Sequence, residues 1–479
     1  MLFNSLQYLI FLPIVVTFFW VLPPKFRMPM LLVASYVFYA SWMPIFLLLI
    51  FGMTISTWIM GKLLYRATVK KKLVLGIGIA LNLSLLGIFK YANFCYGTFA
   101  LLALGKHDAT LGILLPLGIS FFTFEFIHYL FEVYRGKEPI KDFILFSLFA
   151  AFFPTQIAGP IKRYPDFLAQ MQEVKPFKLS YLDEALPVIV TGLAKKILLA
   201  DNLSVLVSMG YANPSAYGAP ELWLLAYAFA FQIYFDFSGY TDIARGSSML
   251  FGYHIPLNFN MPYIAKNISD FWHRWHISLS TWLRDYLFIP LGGSRNGRWG
   301  TNINLFWTMA LGGLWHGASW NFLVWGVYHG LALITHREFQ ELKRRFEIID
   351  KTLETTAGQW FSIFLTFNVV CVGWVFFRIQ DIGTAFGVAK KMVLFRPITT
   401  SIEAHQFLLL KSNLPVIVPI TFTMVLVLLV ANLPWSKMNE KGLLQRTPPW
   451  ITAIYCCVVI VAMLAFMPDT SAPFIYFQF

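Results

Sequence analysis

Long apolar runs separated by short polar gaps dominate this 479-residue chain. A helix needs about 20 mostly apolar residues to cross a hydrocarbon core. Runs that approach or reach that length cover residues 7–22, 29–41, 44–61, 73–89, 111–131, 185–209, 220–235, 357–377, 414–433 and 449–467. Polar residues interrupt two further runs, at 143–160 and 302–335. We therefore expect an all-α polytopic membrane protein with about a dozen transmembrane or re-entrant helices.

The charged residues support this interpretation. Only 13% of the residues are charged and 58% are hydrophobic, whereas soluble proteins average about 25% charged residues. The net charge of +13 is concentrated in the gaps between the apolar runs, as expected for cytoplasmic loops, and this distribution places the N-terminus outside. The first apolar run is expected to be retained as a helix. The clusters are Lys25 and Arg27; Lys62, Arg66, Lys70, Lys71 and Lys72; Arg135, Lys137 and Lys141; Lys343, Arg344 and Arg345; Lys437, Lys441 and Arg446. Without a soluble basic module, we expect no nucleic-acid partner.

The chain is predicted to form a single domain over residues 1–479, because it contains no repeat of fixed period and no low-complexity linker. Its four cysteines lie in or beside apolar runs without the C-x-x-C spacing of metal sites. Neither a metal site nor a disulfide framework is expected.

Tryptophan and histidine are concentrated between Trp272 and Gly330, which hold eight of the sixteen tryptophans and four of the nine histidines. Two polar motifs lie there, one running from Phe271 to Tyr286 and the other from Leu314 to Gly330. Ionisable groups within a membrane cost a few kcal/mol each unless they are paired or hydrated. Catalysis is the leading explanation for this concentration.

His276 and His316 are the candidate catalytic pair within this stretch. They lie forty residues apart, so a helical hairpin could bring them to one cavity. An imidazole near neutral pH can accept a proton from an attacking hydroxyl; the structural alternative is a hydrogen-bonded core histidine. Asn321 could orient a reacting carbonyl or bond to a neighbouring helix. No G-x-S-x-G elbow, P-loop or H-E-x-x-H helix indicates another chemistry.

Two further polar segments precede this stretch. Glu125 and His128 share a helix face. They could form a proton relay, line the wall of a hydrated cavity, or form a mutually satisfied pair between helices. Residues 152–164 contain two prolines and a glycine within an apolar region, which predicts a re-entrant segment facing an internal cavity.

Charged residues also interrupt two later apolar runs. Asp236, Asp242 and Arg245 are explained either by a buried structural network or by direct chemistry, and Asp242 and Arg245 have the spacing of an intrahelical ion pair. Lys195 and Lys196 are expected to extend their ammonium groups from a tilted helix to the membrane surface.

Several motifs, taken together, resemble the membrane-bound O-acyltransferase family, and in particular its bacterial branch of alginate O-acetyltransferase-type polysaccharide acetylases. They are the two tryptophan-histidine motifs, Phe153-Pro-Thr-Gln-Ile-Ala-Gly-Pro160, Asp236-Phe-Ser-Gly-Tyr-Thr-Asp242 and the closing Phe474-Ile-Tyr-Phe-Gln-Phe479. The resemblance covers most of the chain, with the motifs in the same order.

The resemblance implies a helical bundle around a central tunnel or funnel in a bacterial cytoplasmic membrane. It implies acetyl transfer from a cytoplasmic donor, acetyl-CoA, to an exported polysaccharide such as alginate, directly or through a secreted acetyltransferase partner. No bound cofactor is expected. The essential histidine of the family falls on His316, in Trp-His-Gly, and its second recurrent histidine falls on His276. His273 matches a more variable position.

These implications lead to specific roles for individual residues. His316 is predicted to deprotonate the nucleophile, and His276 to position the donor or assist proton transfer. The residues expected to shape the tunnel are Trp272, Trp275, Trp315, Trp320 and Asn321, and those expected at its cytoplasmic mouth are Arg274, Arg284 and Asp285.

Three other functions remain open from the sequence. A sister branch of the family transfers D-alanine from a carrier protein to teichoic acid. A proton-coupled transporter would use Asp236, Asp242, Glu125 and the histidines to carry protons or substrate. A scaffold would anchor soluble acetylases without using any histidine.

Overall fold

The computed structural model describes residues 1–106, 109–396, 448–468 and 472–475. Helices joined by short connections make up most of these residues, and no strand occurs among them. The predicted run 414–433, the basic cluster Lys437, Lys441 and Arg446, and residues 476–479 of the closing motif lie outside the described residues.

The helices follow one another along the chain. They are α1 (Leu6–Val21), α2 (Pro24–Ala40), α3 (Phe46–Arg66), α4 (Lys71–Leu86), α5 (Ala92–Leu104), α6 (Ile119–Tyr134), α7 (Phe143–Ala151), α8 (Tyr164–Gln172), α9 (Ser180–Ala194), α10 (Asp201–Tyr211), α11 (Ala219–Met249), α12 (Ile268–Arg274), α13 (Ile277–Leu283), α14 (Gly297–His316), α15 (Trp320–Arg345), α16 (Glu347–Glu354), α17 (Thr356–Arg378), α18 (Ile382–Val393) and α19 (Pro449–Phe466). Short π-helical turns continue α4, α9 and α13 at Gly87–Tyr91, Lys195–Ala200 and Arg284–Phe288.

Most helices match the predicted apolar runs, and the differences have local causes. The run 111–131 becomes helical only at Ile119, because Gly118 has a left-handed φ of 77°. The run 302–335 breaks after His316, where the extended Gly317 separates α14 from α15. Helix boundaries therefore follow backbone geometry as well as hydropathy.

Four helical stretches among the described residues are long and apolar enough to cross a membrane: Phe46–Arg66, Lys71–Leu104, Thr356–Arg378 and Pro449–Phe466. The shorter apolar helix Leu6–Val21 precedes them. The all-helical fold is confirmed for the described residues. The full set of about a dozen membrane helices and the central tunnel remain predictions.

The described residues form two compact units, each dominated by helix packing. The first comprises residues 1–192 and 240–257, and the second comprises residues 193–239 and 258–479 as far as they are described. The helix α11 contributes residues to both units. The single domain over residues 1–479 remains a prediction.

In the first unit, α6 packs against α3 and α4. The approach of α3 to α6 is close because Gly61 faces the ring of Tyr129, and a Cβ at this glycine would lie only 2.5 Å from that ring. Tyr129 is fully buried and packs on Phe146 at 4.8 Å between ring centroids. A small residue on one helix therefore makes room for an aromatic core on the next.

The predicted break at residues 152–164 is present in the first unit as a non-helical turn between α7 and α8, and protein buries almost all of it. Within it, the Lys162 ammonium lies 2.8 Å from a carboxylate oxygen of Glu125 and donates a hydrogen bond to the Thr155 hydroxyl. Both charged side chains are buried. Glu125 is therefore a member of a buried ion pair, and its partner is Lys162 rather than His128.

In the second unit, α14 and α15 form an antiparallel hairpin, and α17 packs against α15. The expectation that Lys196 reaches the membrane surface is wrong. Its side chain is buried, and its ammonium lies 2.8 Å from Asp201 and 2.7 Å from Asp236. The π-helical turn Lys195–Ala200 alters the direction of side chains relative to a regular helix, and such turns often occur at functional sites.

Candidate active site

His316 is the last residue of α14, and the tight hairpin between α14 and α15 determines its position. The two helices touch backbone to backbone: a Cβ at Gly313 would overlap the carbonyl oxygen of Phe322, and a Cβ at Gly326 would overlap that of Met309. Small residues permit such close packing of helices. The imidazole of His316 is therefore held in the interior, 6% exposed.

His276 lies at the beginning of α13 and adopts a left-handed backbone conformation, with φ 42° and ψ 56°. Residues other than glycine rarely adopt this conformation, which costs free energy and occurs frequently at functional sites. The side chain is fully buried. Surrounding contacts must therefore offset the strain, and hydrogen bonds between Asn258 and the next two residues contribute to them.

Asn258 holds the first turn of α13 through two hydrogen bonds. Its carbonyl oxygen accepts from the N–H of Ile277 at 2.9 Å, and its side-chain oxygen accepts from the N–H of Ser278 at 3.2 Å. The first N–H groups of a helix have no partner within the helix, so Asn258 satisfies two of them. Asn258 was not among the predicted site residues; the available signal was an asparagine in an apolar stretch.

Replacing Asn258 with leucine is expected to lower stability by about 1–3 kcal/mol, because the N–H of Ser278 loses its buried acceptor. It should also reduce acyl transfer, since His276 precedes this turn directly. Thermal unfolding in detergent and the transfer rate measure the two effects. Asn258→Asp retains the accepting oxygen and should remain closer to the unmodified protein. Asn260→Leu, at an exposed position two residues away, is the control. An equal loss of stability and of transfer rate in that variant would contradict the role of Asn258.

The second unit brings the two predicted catalytic histidines together. Their ring centroids lie 6.4 Å apart, with 55° between the planes. The ring of Trp315 lies 6.1 Å from His276 and 5.0 Å from His316. Phe237 packs edge-on against His276 at 4.7 Å. An acyl group between the histidines would therefore meet aromatic surface.

A buried aromatic cluster surrounds His316. Trp325 contacts it edge-on at 5.0 Å, and Phe377 lies 5.5 Å away. The same Trp325 contacts His329 at 4.8 Å and stacks on Trp374 at 5.8 Å. His329 is fully buried, and neither of its ring nitrogens has a hydrogen-bond partner among the described residues. Trp325, Trp374 and Phe377 had no predicted role.

Burial also determines the charge of His276, which lies outside the four candidate spans. It lowers the pKa of this imidazole from 6.5 to about 3, because an apolar environment disfavours the charged form. His276 is therefore neutral at physiological pH. A base is most effective when its pKa lies near the working pH, so His276 is better suited to hydrogen bonding than to accepting the proton.

The predicted tunnel residues divide into a buried and a more exposed group. Trp272, Trp275 and Trp315 are buried, between 1% and 8% exposed, whereas Trp320 is 49% exposed. Asn321 donates a hydrogen bond to the carbonyl oxygen of Ile379, at the end of α17. Its amide nitrogen thus joins neighbouring helices, which was the structural alternative for this residue.

The three charged residues predicted at the mouth form ion pairs with nearby residues. Arg274 pairs with Asp270 at 2.7 Å along α12, and Arg284 pairs with Asp285 at 2.8 Å. His273 is exposed and contacts the carbonyl oxygen of Ser269. Among the residues that the structure describes, no three His, Cys, Asp or Glu side chains form a possible metal site.

Comparison with known proteins identifies relatives along most of the chain. The sequence model of the membrane-bound O-acyltransferase family matches residues 77–376. A probable alginate O-acetylase of Pseudomonas aeruginosa is 39% identical over 405 residues, which cover 82% of this chain and 75% of that protein. The peptidoglycan O-acetyltransferase of Helicobacter pylori is 32% identical over 495 residues, covering 95% and 92%. The teichoic acid D-alanyltransferase of Bacillus subtilis is 32% identical over 274 residues, covering 54% and 68%.

Proposed function

The chain belongs to the membrane-bound O-acyltransferase family, and we propose that it transfers acetyl groups from cytoplasmic acetyl-CoA across a bacterial cytoplasmic membrane to hydroxyls of an exported polysaccharide. The acetyl group reaches the polysaccharide directly or through a secreted partner. The lipid bilayer, the acyl donor and the acceptor are then the molecules that it contacts. Alginate and peptidoglycan, named for two relatives, represent the class of acceptor.

The observation that carries this proposal is the convergence of His276 and His316 within a buried aromatic cluster, at 6.4 Å between ring centroids. Such an environment keeps water from competing with the acceptor hydroxyl. Holding the reacting atoms near contact distance can contribute about 7–11 kcal/mol to lowering a barrier.

His316 is the general base of the proposed reaction. It takes the proton of the acceptor hydroxyl as that oxygen attacks the acetyl carbonyl carbon. A C–O bond forms, the C–S bond of the thioester breaks, and the proton passes from His316 to the departing thiolate. The products are an acetyl ester and free coenzyme A. The neutral His276 positions the thioester by hydrogen bonding.

Ion pairing of three carboxylates favours this enzyme over the transporter that the sequence left open. Glu125 is paired with Lys162, and Asp236 with Lys196. Asp242 lies 3.5 Å from Arg245, as its spacing predicted. Each of these carboxylates therefore already has a cation as its ion-pair partner. Acyl transfer requires none of these groups to change charge.

D-alanyl transfer is the second candidate function, because teichoic acid D-alanyltransferases are among the relatives. The match with the Bacillus subtilis protein covers 54% of this chain, whereas the matches with the two O-acetylating relatives cover 82% and 95%. The broader coverage favours acetyl transfer.

Radiolabelled acetyl-CoA tests the proposal directly. Purified protein in detergent is expected to release coenzyme A and to move label to an acidic polysaccharide or to peptidoglycan fragments. Parallel reactions contain a carrier protein charged with radiolabelled D-alanine, together with teichoic acid. Label transferred only from the D-alanyl carrier would replace the proposal with the second candidate, and label transferred from neither donor would contradict both.

A further inference from the structure

A buried group of charges in the second unit has no role in the reaction proposed above. It consists of Lys196, Asp201 and Asp236, and the lysine ammonium lies within 2.8 Å of both carboxylates. Each side chain is at most 8% exposed. Removing three ionised groups from water is costly even when they are paired, so the presence of this cluster calls for a function.

The cluster binds backbone atoms near the C-terminus of the chain. Lys196 donates a hydrogen bond to the carbonyl oxygen of Ala472 at 2.8 Å. The N–H of Ile475 donates to Asp236 at 2.7 Å. Asn202, one residue beyond Asp201, donates to the carbonyl oxygen of Phe466, the last residue of α19. The charged groups therefore hold the described segment 472–475 by its main chain.

Aromatic contacts connect this segment to the candidate active site. The ring of Phe474 lies 5.8 Å from that of Phe237. Phe237 directly follows Asp236 on α11, is fully buried, and packs edge-on against His276 at 4.7 Å. His276 thus packs against Phe237, and Phe237 packs in turn against Phe474 of the C-terminal segment.

His276 has particular need of such support. Its left-handed backbone conformation persists only where the surroundings restrict the alternatives. Asn258 holds the helical turn that follows it, and Phe237 contacts its ring. If Phe237 moved, the ring of His276 would gain freedom to leave its place opposite His316.

We propose that Lys196, Asp201 and Asp236 act as a positioning cluster for acyl transfer: they anchor segment 472–475, and this segment holds His276 in place through Phe474 and Phe237. The inference rests on the proposed function for its catalytic consequence. These are positioning residues, since none of them contacts the reacting atoms in the proposed reaction.

The test combines hydrogen exchange with kinetics in Asp236→Leu, Phe474→Ala and the double variant. Each single variant should accelerate amide exchange in residues 277–283. Each should lower kcat about tenfold, with less than about a twofold change in KM for acetyl-CoA, because geometry rather than donor binding is lost. The double variant should be no slower than the slower single variant, since both substitutions interrupt one series of contacts.

Two variants separate this mechanism from a general loss of stability. Asp236→Asn keeps an oxygen that can accept from the N–H of Ile475 and should recover much of the activity lost in Asp236→Leu. Asp242→Leu, six residues further along α11, removes a carboxylate whose ion-pair partner is Arg245. It should leave exchange in residues 277–283 unchanged.

Unchanged exchange in residues 277–283 in both single variants would overturn the inference, as would rate losses that multiply in the double variant. If Asp236→Leu did not fold, Phe474→Ala alone would decide the matter by the same exchange measurement. If the unmodified protein transferred no acetyl group, the proposed function would fail. Hydrogen exchange would still decide whether the cluster positions His276.

Discussion

Replacing His316 with alanine is expected to slow acetyl transfer by about 10²- to 10⁴-fold, the usual contribution of a general base. The imidazole ends α14 within a buried aromatic cluster, and its ring lies 6.4 Å from that of His276. Loss of the base should lower kcat and leave the KM for acetyl-CoA nearly unchanged, provided that donor dissociation is fast. Label transfer from acetyl-CoA, with the variant and the unmodified protein at equal concentration, measures the effect.

The matched control is His336→Ala. His336 is a partly buried histidine of α15, within hydrogen-bond range of Gln340, and it has no place in the proposed reaction. Its loss should leave kcat within about twofold, as expected for a residue without a transition-state contact. A folded His316→Ala protein with full activity would show that another group accepts the proton.

Replacing Lys162 with methionine is expected to cost about 3–5 kcal/mol of stability, because the buried Glu125 is left without its ion-pair partner. The lysine side chain is 1% exposed and its ammonium lies 2.8 Å from the carboxylate. Thermal unfolding in detergent measures the loss. Adding Glu125→Gln should restore most of the stability, since no unpaired charge then remains.

Arg135→Met is the control for this ion pair. Arg135 lies 2.8 Å from Glu132, the same distance as in the buried pair, but its side chain is 42% exposed. Exposed ion pairs contribute about 0–1 kcal/mol, so this variant should unfold at nearly the same temperature as the unmodified protein. If the Glu125→Gln, Lys162→Met double variant were as unstable as Lys162→Met, loss of packing rather than the unpaired charge would be the cause.

Local features of the sequence were sufficient to predict most of the helices and the two catalytic candidates. Apolar runs locate helices because each helix satisfies its own backbone hydrogen bonds within one contiguous segment. The motifs around His276 and His316 identified both histidines, which the structure places 6.4 Å apart between ring centroids. The run 302–335, which polar residues interrupt, divides into α14 and α15 at the extended Gly317.

The environment of individual side chains was less accessible from the sequence. Glu125 shares a helix face with His128, but it pairs with a lysine thirty-seven residues away. Lys196 was expected at the membrane surface, yet two aspartates hold it inside the second unit. The pattern of apolar residues does not show which distant charges will meet, because several pairings satisfy the same local spacing.

The sequence by itself therefore determined the membrane class, most of the described helical segments, the family and the two candidate histidines. Only the tertiary structure decided the left-handed conformation of His276, its support by Asn258 and Phe237, and the attachment of segment 472–475 to Asp236. The physical reason is the range of the interactions. Helix formation depends on neighbours within a few residues, whereas buried charges and strained conformations depend on partners that only chain folding brings together.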